Sequence, residues 1–347
     1  MRKFDYSFLR GSDIPVSIAN KMVYIASLKE SVSSLRTDHV KTFAELEDKA
    51  KFLSVKGSNA IEGIATSDER LSSLMDRSVE PIGHDEQEIA GYRDALVSIH
   101  SGYSEMTLDE ETILGLHRTL MSYTNREGGI YKTSDNVIME IDKDGNRRAH
   151  FRPLSSKETP EAMDQFILSF IDAHQSGTNP LLLIPCFILD FLSIHPFIDG
   201  NGRMSRLLTL LLLYKAGFDV GKYISVEERV DMTKDRYYSA LSHSSEGWHE
   251  GRNDYIPFID YFLDVLLTCY RGLDRCFATI EGKKATKNNR IEAVVMNSLV
   301  PISKREIMSM LPDVSQTTVE LCLHRMLDKD IIEKIGSNRG ARYRRKY

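Results

Sequence analysis

Residues 195–206 read His195-Pro196-Phe197-Ile198-Asp199-Gly200-Asn201-Gly202-Arg203-Met204-Ser205-Arg206, and the reading of the chain turns on them. Before them, Pro180–Ile194 is apolar nearly all round, the pattern of a helix at the centre of a bundle. After them, residues 203–215 predict a second such helix that stops at Gly217, a C-cap glycine. Gly200 and Gly202 permit tight backbone and close approach of a ligand to main-chain N–H groups. The loop feeds a helix N-terminus, whose unpaired donors favour an anion. Arg203 and Arg206, three apart, share a helix face and can grip phosphate oxygens. Asp199 is a hard oxygen ligand suited to Mg²⁺, and His195 is suited to proton transfer. Taken singly, each residue fits an ordinary helix connection. Together, within twelve residues, they are the parts of a phosphate-chemistry site. GxxxxGK[ST], HExxH and GxSxG are absent, which excludes a P-loop enzyme.

Outward from this stretch, the length of 347 residues suggests two or three structural units, at ~100–200 residues per domain. Hydrophobic residues at 41% and charged residues at 27% exclude disordered and fibrous classes. Cys186, Cys269, Cys276 and Cys322 show no CxxC spacing and read as reduced thiols rather than a disulfide framework or zinc site. The opening MRKFDYSFLRGSD lacks a signal-peptide core, and no apolar run reaches the ~20 residues of a membrane span, Asp190 interrupting 181–194. A soluble, cytoplasmic protein without membrane association is expected. Residues 281–347 carry 14 Lys and Arg against 8 Asp and Glu, a net of +6; the preceding residues carry 31 against 42, a net of −11. The basic end is a module to treat separately.

Three- and four-residue apolar spacing predicts helices over 33–51, 85–100, 108–123 and 255–280. Residues 128–153 break that rhythm and predict a hairpin turning at Asp144-Gly145. DKDG there lacks the later ligands of a calcium loop. Residues 281–290 read as a linker. Helices over 291–300, 303–311 and 316–328, then extended runs at 331–335 and 341–346 around residues 336–340, make a winged helix-turn-helix pattern.

HPFIDGNGRMSR matches in full HxFx[D/E]GNGRxxR, and on it the chain resembles the Fic family (filamentation induced by cAMP) over roughly 45–270. Leu116-His117 with Leu120, Gly129-Ile130-Tyr131 and Tyr237-Tyr238 resemble features recurrent around that core. The fold so implied is mainly α: a Fic-type helical bundle with a β-hairpin flap, followed by a small winged helix-turn-helix domain. Its divisions are 1–110, an N-terminal helical region, 111–280, the catalytic core, and 281–347, linker and winged helix. The resemblance implies a protein adenylyltransferase moving AMP from ATP to a Ser, Thr or Tyr hydroxyl of a target protein or of itself. His195 would be the general base and Asp199 would hold Mg²⁺. Gly200, Asn201 and Gly202 would form the anion nest, Arg203 would stabilise pyrophosphate and Arg206 would fix the γ-phosphate. The 128–153 hairpin would register the target by strand addition. Tyr237 and Tyr238 could line the adenine pocket or serve as core tyrosines.

Ser58-Asn59-Ala60-Ile61-Glu62-Gly63 fits [S/T]xxxE[G/N], the inhibitory motif of Fic proteins. The alternative is a helix N-cap, although a capping box needs the acid three residues after Ser58 and Glu62 is four after it. On the inhibitory reading Glu62 pairs with Arg206 and ATP binds unproductively. The same Glu62 could orient a water that removes AMP from a modified target.

The terminal module offers Gln316, Thr317, Thr318, Arg325 and Lys329 on its third helix, and Arg339, Arg342, Arg344, Arg345 and Lys346 around the wing, so DNA and protein docking both stay open. Two further readings remain. One is a Fic enzyme with another donor or mainly de-adenylylating activity. The other is a DNA-binding regulator with a nucleotide-sensing core, which the intact His195 disfavours. A homodimer is the expected assembly.

Overall fold

The computed structural model describes residues 2–11, 13–141, 147–280, 286–298, 301–311, 313–336 and 341–346. The chain divides into two compact units, Met1–Tyr270 and Arg271–Tyr347. The fold is mainly helical with a little sheet, as the sequence pattern implies.

In the first unit the order is α1 (Val16–Ser33), α2 (Val40–Ile61), α3 (Asp68–Met75), α4 (Gly83–Gly102) and α5 (Glu110–Met121). The hairpin β1 (Ile138–Ile141) and β2 (Arg147–Phe151) follows, then α6 (Thr159–Gln175), α7 (Pro180–Ile194), α8 (Asn201–Lys215), α9 (Val226–Met232), α10 (Lys234–Ser245) and α11 (Ile256–Ile280), whose residues from Arg271 on fall in the second unit. The starts are chemically marked: Asn179 accepts from Leu181 N, Asp109 from Thr112 N and Ser225 from Glu228 N. α7, buried on every side, packs between α6 and α8. α2 packs against α9 and α4, and α4 against α5, so helices on both sides of residue 110 build one body, which ends at Tyr270. The hairpin is antiparallel, with Ile138 opposite Phe151 and Ile141 opposite Arg147. Its expected turn, Asp142 to Asn146, lies outside the described residues.

The expected helix over 33–51 starts only at Val40, as the first half of α2, because α1 ends at Ser33 and a turn follows. Val32 and Phe43, Leu46 and Ala50 all face the core, so the apolar spacing runs across the break. The chain turns there because Arg36 is drawn onto Asp219, at 2.5 Å, and over the Tyr223 ring.

The second unit runs α12 (Lys287–Asn297), β3 (Ile302–Ser303), α13 (Lys304–Met310), α14 (Gln316–Asp328), β4 (Ile332–Ile335) and β5 (Arg342–Arg345). Its antiparallel sheet has the order β3-β5-β4. Ile291, Val295, Ile307, Val319, Leu323 and Ile332 form its own core. Lys287 to Arg290, expected in the linker, are instead the first turn of α12, because Thr286 accepts from Asn289 N and starts the helix early. Residues 281–285, and 337–340 with Arg339, lie outside the described residues.

Asp190, the charge inside the apolar run, is the hub of the first unit. Buried among hydrophobics, it accepts from Tyr6 at 2.8 Å, Trp248 at 2.7 Å and Tyr255 at 2.9 Å. Arg2 stands 3.8 Å away and lies over the Trp248 ring. Burial pushes the Asp190 carboxyl up against these donors. One carboxylate thus ties the N-terminal segment to α7 and to the segment between α10 and α11.

Close helix packing places the site. A Cβ at Gly91 of α4 would overlap the Leu120 carbonyl of α5, whereas one at Gly115 of α5 would meet nothing within 4 Å. Gly91→Ala should therefore cost about 3 kcal/mol in urea unfolding, the upper end of overpacking. Gly115→Ala should be neutral or gain up to about 1 kcal/mol of helix propensity. Equal midpoints for the two variants would contradict this packing.

Candidate active site

The turn joining α7 to α8 has special backbone at both ends. His195 closes α7 in the left-handed region, at φ 51° and ψ 62°, which costs a non-glycine residue about 1–2 kcal/mol. Gly200 opens α8 from the same region, at φ 79°, without that cost. Between them Asn201 acts as a brace: its Oδ1 accepts from Phe197 N at 3.0 Å and its Nδ2 donates to Phe197 O at 2.8 Å. That leaves the backbone of Asn201, not its amide, for an anion. His195 Nδ1 lies 3.2 Å from Leu192 O. A carbonyl only accepts, so Nδ1 carries the hydrogen and Nε2 keeps its lone pair. Burial pushes the His195 pKa down to about 4, so the ring is neutral at physiological pH.

The two arginines are both engaged by carboxylates. Buried Arg206 donates from Nε to Ser58 Oγ at 2.8 Å, and from Nη2 to Ser58 O at 3.0 Å and Glu62 Oε1 at 2.7 Å. Arg203 pairs with Glu88 of α4, which is itself buried and 3.4 Å from His84. Burial raises the Glu62 carboxyl, but Arg206, with Arg203 and Lys234, outweighs it and holds the group below its ordinary value. A Cβ at Gly202 would run into Glu62 Oε1, so the carboxylate sits against the first turn of α8, where an anion is favoured.

Ser58 lies in the last turn of α2, which overturns the N-cap alternative for its motif. Glu62 caps the C-terminus of α2, and Gly63, at φ 79°, turns the chain away. Gly63 N donates to Ala60 O and Ile64 N to Asn59 O, a Schellman ending that fixes where Glu62 projects. Upstream, a Cβ at Gly57 would lie 2.8 Å from Glu228 N, so α2 rides directly on α9. The Glu227 carboxylate locks that contact, accepting from Ser54 at 2.8 Å and from Tyr92 of α4 at 3.0 Å.

Asp199 faces Arg126, with Arg203 at 3.9 Å, and its Oδ1 accepts from Gly200 N at 2.7 Å. His117 joins this loop to the approach of the hairpin. Its Nδ1 accepts from Gly129 N at 3.0 Å, so Nε2 carries the hydrogen and donates to Asp199 O at 3.1 Å. Its ring stacks on Phe197 at 3.7 Å. Tyr237 is buried and, with Arg206 and Ser205, lines a cavity of about 40 Å³ with mostly apolar walls, so it is a core tyrosine. Tyr238 is 45% exposed and remains accessible to a ligand. The structure thus brings Ser58, Glu62, Asp199, Gly202, Arg203 and Arg206 to one end of α8. Glu88, Arg126, Lys132 and Asn136 also belong to the site and carry no motif in the sequence. His117 stood out only by resemblance.

The Fic/DOC family profile matches residues 107–213. A Fido domain-containing protein of Dictyostelium discoideum is 30% identical over 125 residues, 35% of this chain and 78% of that protein. The chain belongs to the Fic/DOC family. Within the family, the protein adenylyltransferase Fic of Drosophila persimilis is 25% identical over 253 residues, 72% of this chain and 44% of the fly protein. The chain therefore spans less than half the length of that relative. A crystal structure of a Fic family protein from Desulfovibrio desulfuricans superposes with a TM-score of 0.63 at 20% identity, over 96% of this chain and 97% of that one, a likeness of fold.

The depressed Glu62 carboxyl gives its pairing a pH signature. Its contribution to stability is present above the ordinary value of 4.5 and is lost as pH falls through the lower folded value. The gap in unfolding midpoint between wild type and Glu62→Gln should be widest near neutrality and close in acid. A gap that widens in acid would contradict the pairing.

Proposed function

We propose that the chain is an autoinhibited protein adenylyltransferase that moves AMP from ATP to a Ser, Thr or Tyr hydroxyl. The observation that carries this is a neutral His195 with a free Nε2 at one end of an anion-favouring turn whose terminal arginine is held by Glu62. The family's fly relatives are named protein adenylyltransferases. His195 Nε2 takes the proton of the attacking hydroxyl, the oxygen bonds to the α-phosphorus, and the bond from the α-phosphorus to the bridging oxygen breaks to release pyrophosphate. The backbone of Gly200, Asn201 and Gly202 receives phosphate oxygens at the start of α8, and Arg203 and Arg206 neutralise the leaving group. Tyr238 is the available wall for adenine.

Magnesium commonly takes one or two carboxylates and completes its shell with phosphate and water. Asp199, whose side chain is 34% exposed beside the start of α8, fits as that one carboxylate once Arg126 turns aside. Bound Mg²⁺ would supply neutralisation of phosphate charge. Among the described residues no group of three or more metal-ligating side chains occurs.

In this reading Glu62 is the brake. Its carboxylate occupies the anion position at Gly202 and holds Arg206, so a triphosphate reaches neither correctly. The same ionised carboxylate suits it to orient a water that hydrolyses AMP from a modified target.

We assign the second unit as a winged helix. Its Arg342, Arg344 and Lys346 face Glu306, Glu333 and Asp330. DNA phosphates would have to displace those carboxylates, which favours protein docking over DNA. The three buried free cysteines, Cys186, Cys269 and Cys322, suit a reducing, cytoplasmic setting.

Intact mass after incubation with ATP and Mg²⁺, with and without cell lysate as a source of targets, tests the transferase. Glu62→Gly should acquire or transfer an AMP-sized mass at least tenfold faster than wild type, and Glu62→Gly/His195→Ala should transfer none while unfolding at a similar temperature. Equal transfer by wild type and Glu62→Gly would refute the brake. Transfer surviving loss of His195 would refute the base.

A further inference from the structure

Lys132 is a lysine with 3% of its surface exposed, in the segment that joins α5 to the hairpin. Its Nζ donates to Ile194 O at 3.0 Å, the carbonyl just before His195, and to Asn136 Oδ1 at 3.1 Å. Its backbone N donates to Pro196 O at 2.8 Å, just after His195. Asn136 Nδ2 then donates to Phe197 O at 3.1 Å. One five-residue stretch thus takes up the carbonyls of residues 194, 196 and 197, on both sides of the left-handed His195. Burying an ammonium is expensive, and a neutral donor would serve for carbonyl capping alone.

We propose that Lys132 is a positioning residue for the reacting histidine: it clamps the His195 turn from both sides and keeps a positive charge beside the imidazole. This rests on the reading of His195 as the base. A cation at the C-terminus of α7 is favourable to the helix. Toward the imidazole it disfavours a second positive charge and so keeps Nε2 unprotonated. The groups that act on His195 are Lys132, which lowers its pKa, and Leu192 O and Glu62, which raise it, with burial dominant. Lys132 itself is pushed down by burial to about 8, with Asp135 opposing, so it stays largely protonated at neutral pH. Removing Glu62 removes one of the groups that raises His195 and makes Lys132 the chief charge beside the ring.

The test uses the full chain with Glu62→Gly as background, adding Lys132→Met, Lys132→Gln or Lys132→Arg. His195 is titrated by NMR without nucleotide, and kcat and KM for ATP are read against pH. Lys132→Met and Lys132→Gln should raise the His195 midpoint by about one pH unit, as loss of a near charge does. They should move the acid limb of kcat up by the same amount, with KM within about threefold, because the effect falls on the base rather than on nucleotide binding. Lys132→Arg should restore both. The glutamine variant keeps a donor, so it separates charge from capping should the methionine variant fail to fold. An unchanged midpoint in the glutamine variant overturns the proposal. A raised midpoint with an unmoved acid limb of kcat supports the clamp and instead removes His195 from the base role.

Discussion

A guanidinium taken out of water has to be met by an anion, and Arg206 is such a group at the start of a central helix. The helix N-terminus beside it adds donors of the same preference. In the chain by itself, Glu62 satisfies both. Much of the first unit serves to bring it there. α2 must lie flat on α9, which Gly57 permits and the Glu227 carboxylate secures through Ser54 and Tyr92. α2 must then end at residue 62, which Gly63 enforces. The Glu62–Arg206 contact is therefore a property of how three helices pack, not of a loose segment.

The same logic repeats one turn earlier on α8. Arg203 is met by Glu88 of α4, whose closeness to α5 depends on Gly91. Two buried arginines and two carboxylates from different helices lie side by side along one helix face. On the proposed function, a triphosphate competing for this face would displace charge for charge, so the exchange would cost little in desolvation. Carboxylate and phosphate would then, on the proposed function, be alternative occupants of one electrostatic site.

The reactive turn was legible in the sequence because its glycines, arginines, Asp199 and His195 are consecutive. So was α7, whose apolar run admits one environment. Residues that act on the turn from elsewhere were not legible. Lys132 follows Tyr131 with nothing to mark it as buried, and Glu88 reads as one more acid on an amphipathic helix. Their meaning comes from contacts across 62 and 115 positions of chain. Asp190 was visible as an oddity in an apolar run, yet its partners Tyr6, Trp248 and Tyr255 are spread over most of the first unit. The break between α1 and α2 was hidden for a related reason, since both helices bury residues on one continuous spacing and Arg36 decides the turn through Asp219. At α12 the sign was present but outvoted: Thr286 is a cap inside a polar run that composition reads as linker.

On the proposed function, the Glu62 carboxylate holds the position of a phosphate. The most direct measurement is calorimetric binding of inorganic tripolyphosphate, which carries the charge of ATP without its base or sugar, to wild type, Glu62→Gly and Glu62→Gly/Arg206→Ala. The account predicts that Glu62→Gly binds at least about tenfold more tightly than wild type, the ~1.4 kcal/mol of one charge-assisted contact regained, and that the double variant loses that gain. Equal affinity of wild type and Glu62→Gly would contradict it, because Arg206 and the start of α8 would then be open to phosphate whether or not the carboxylate is there.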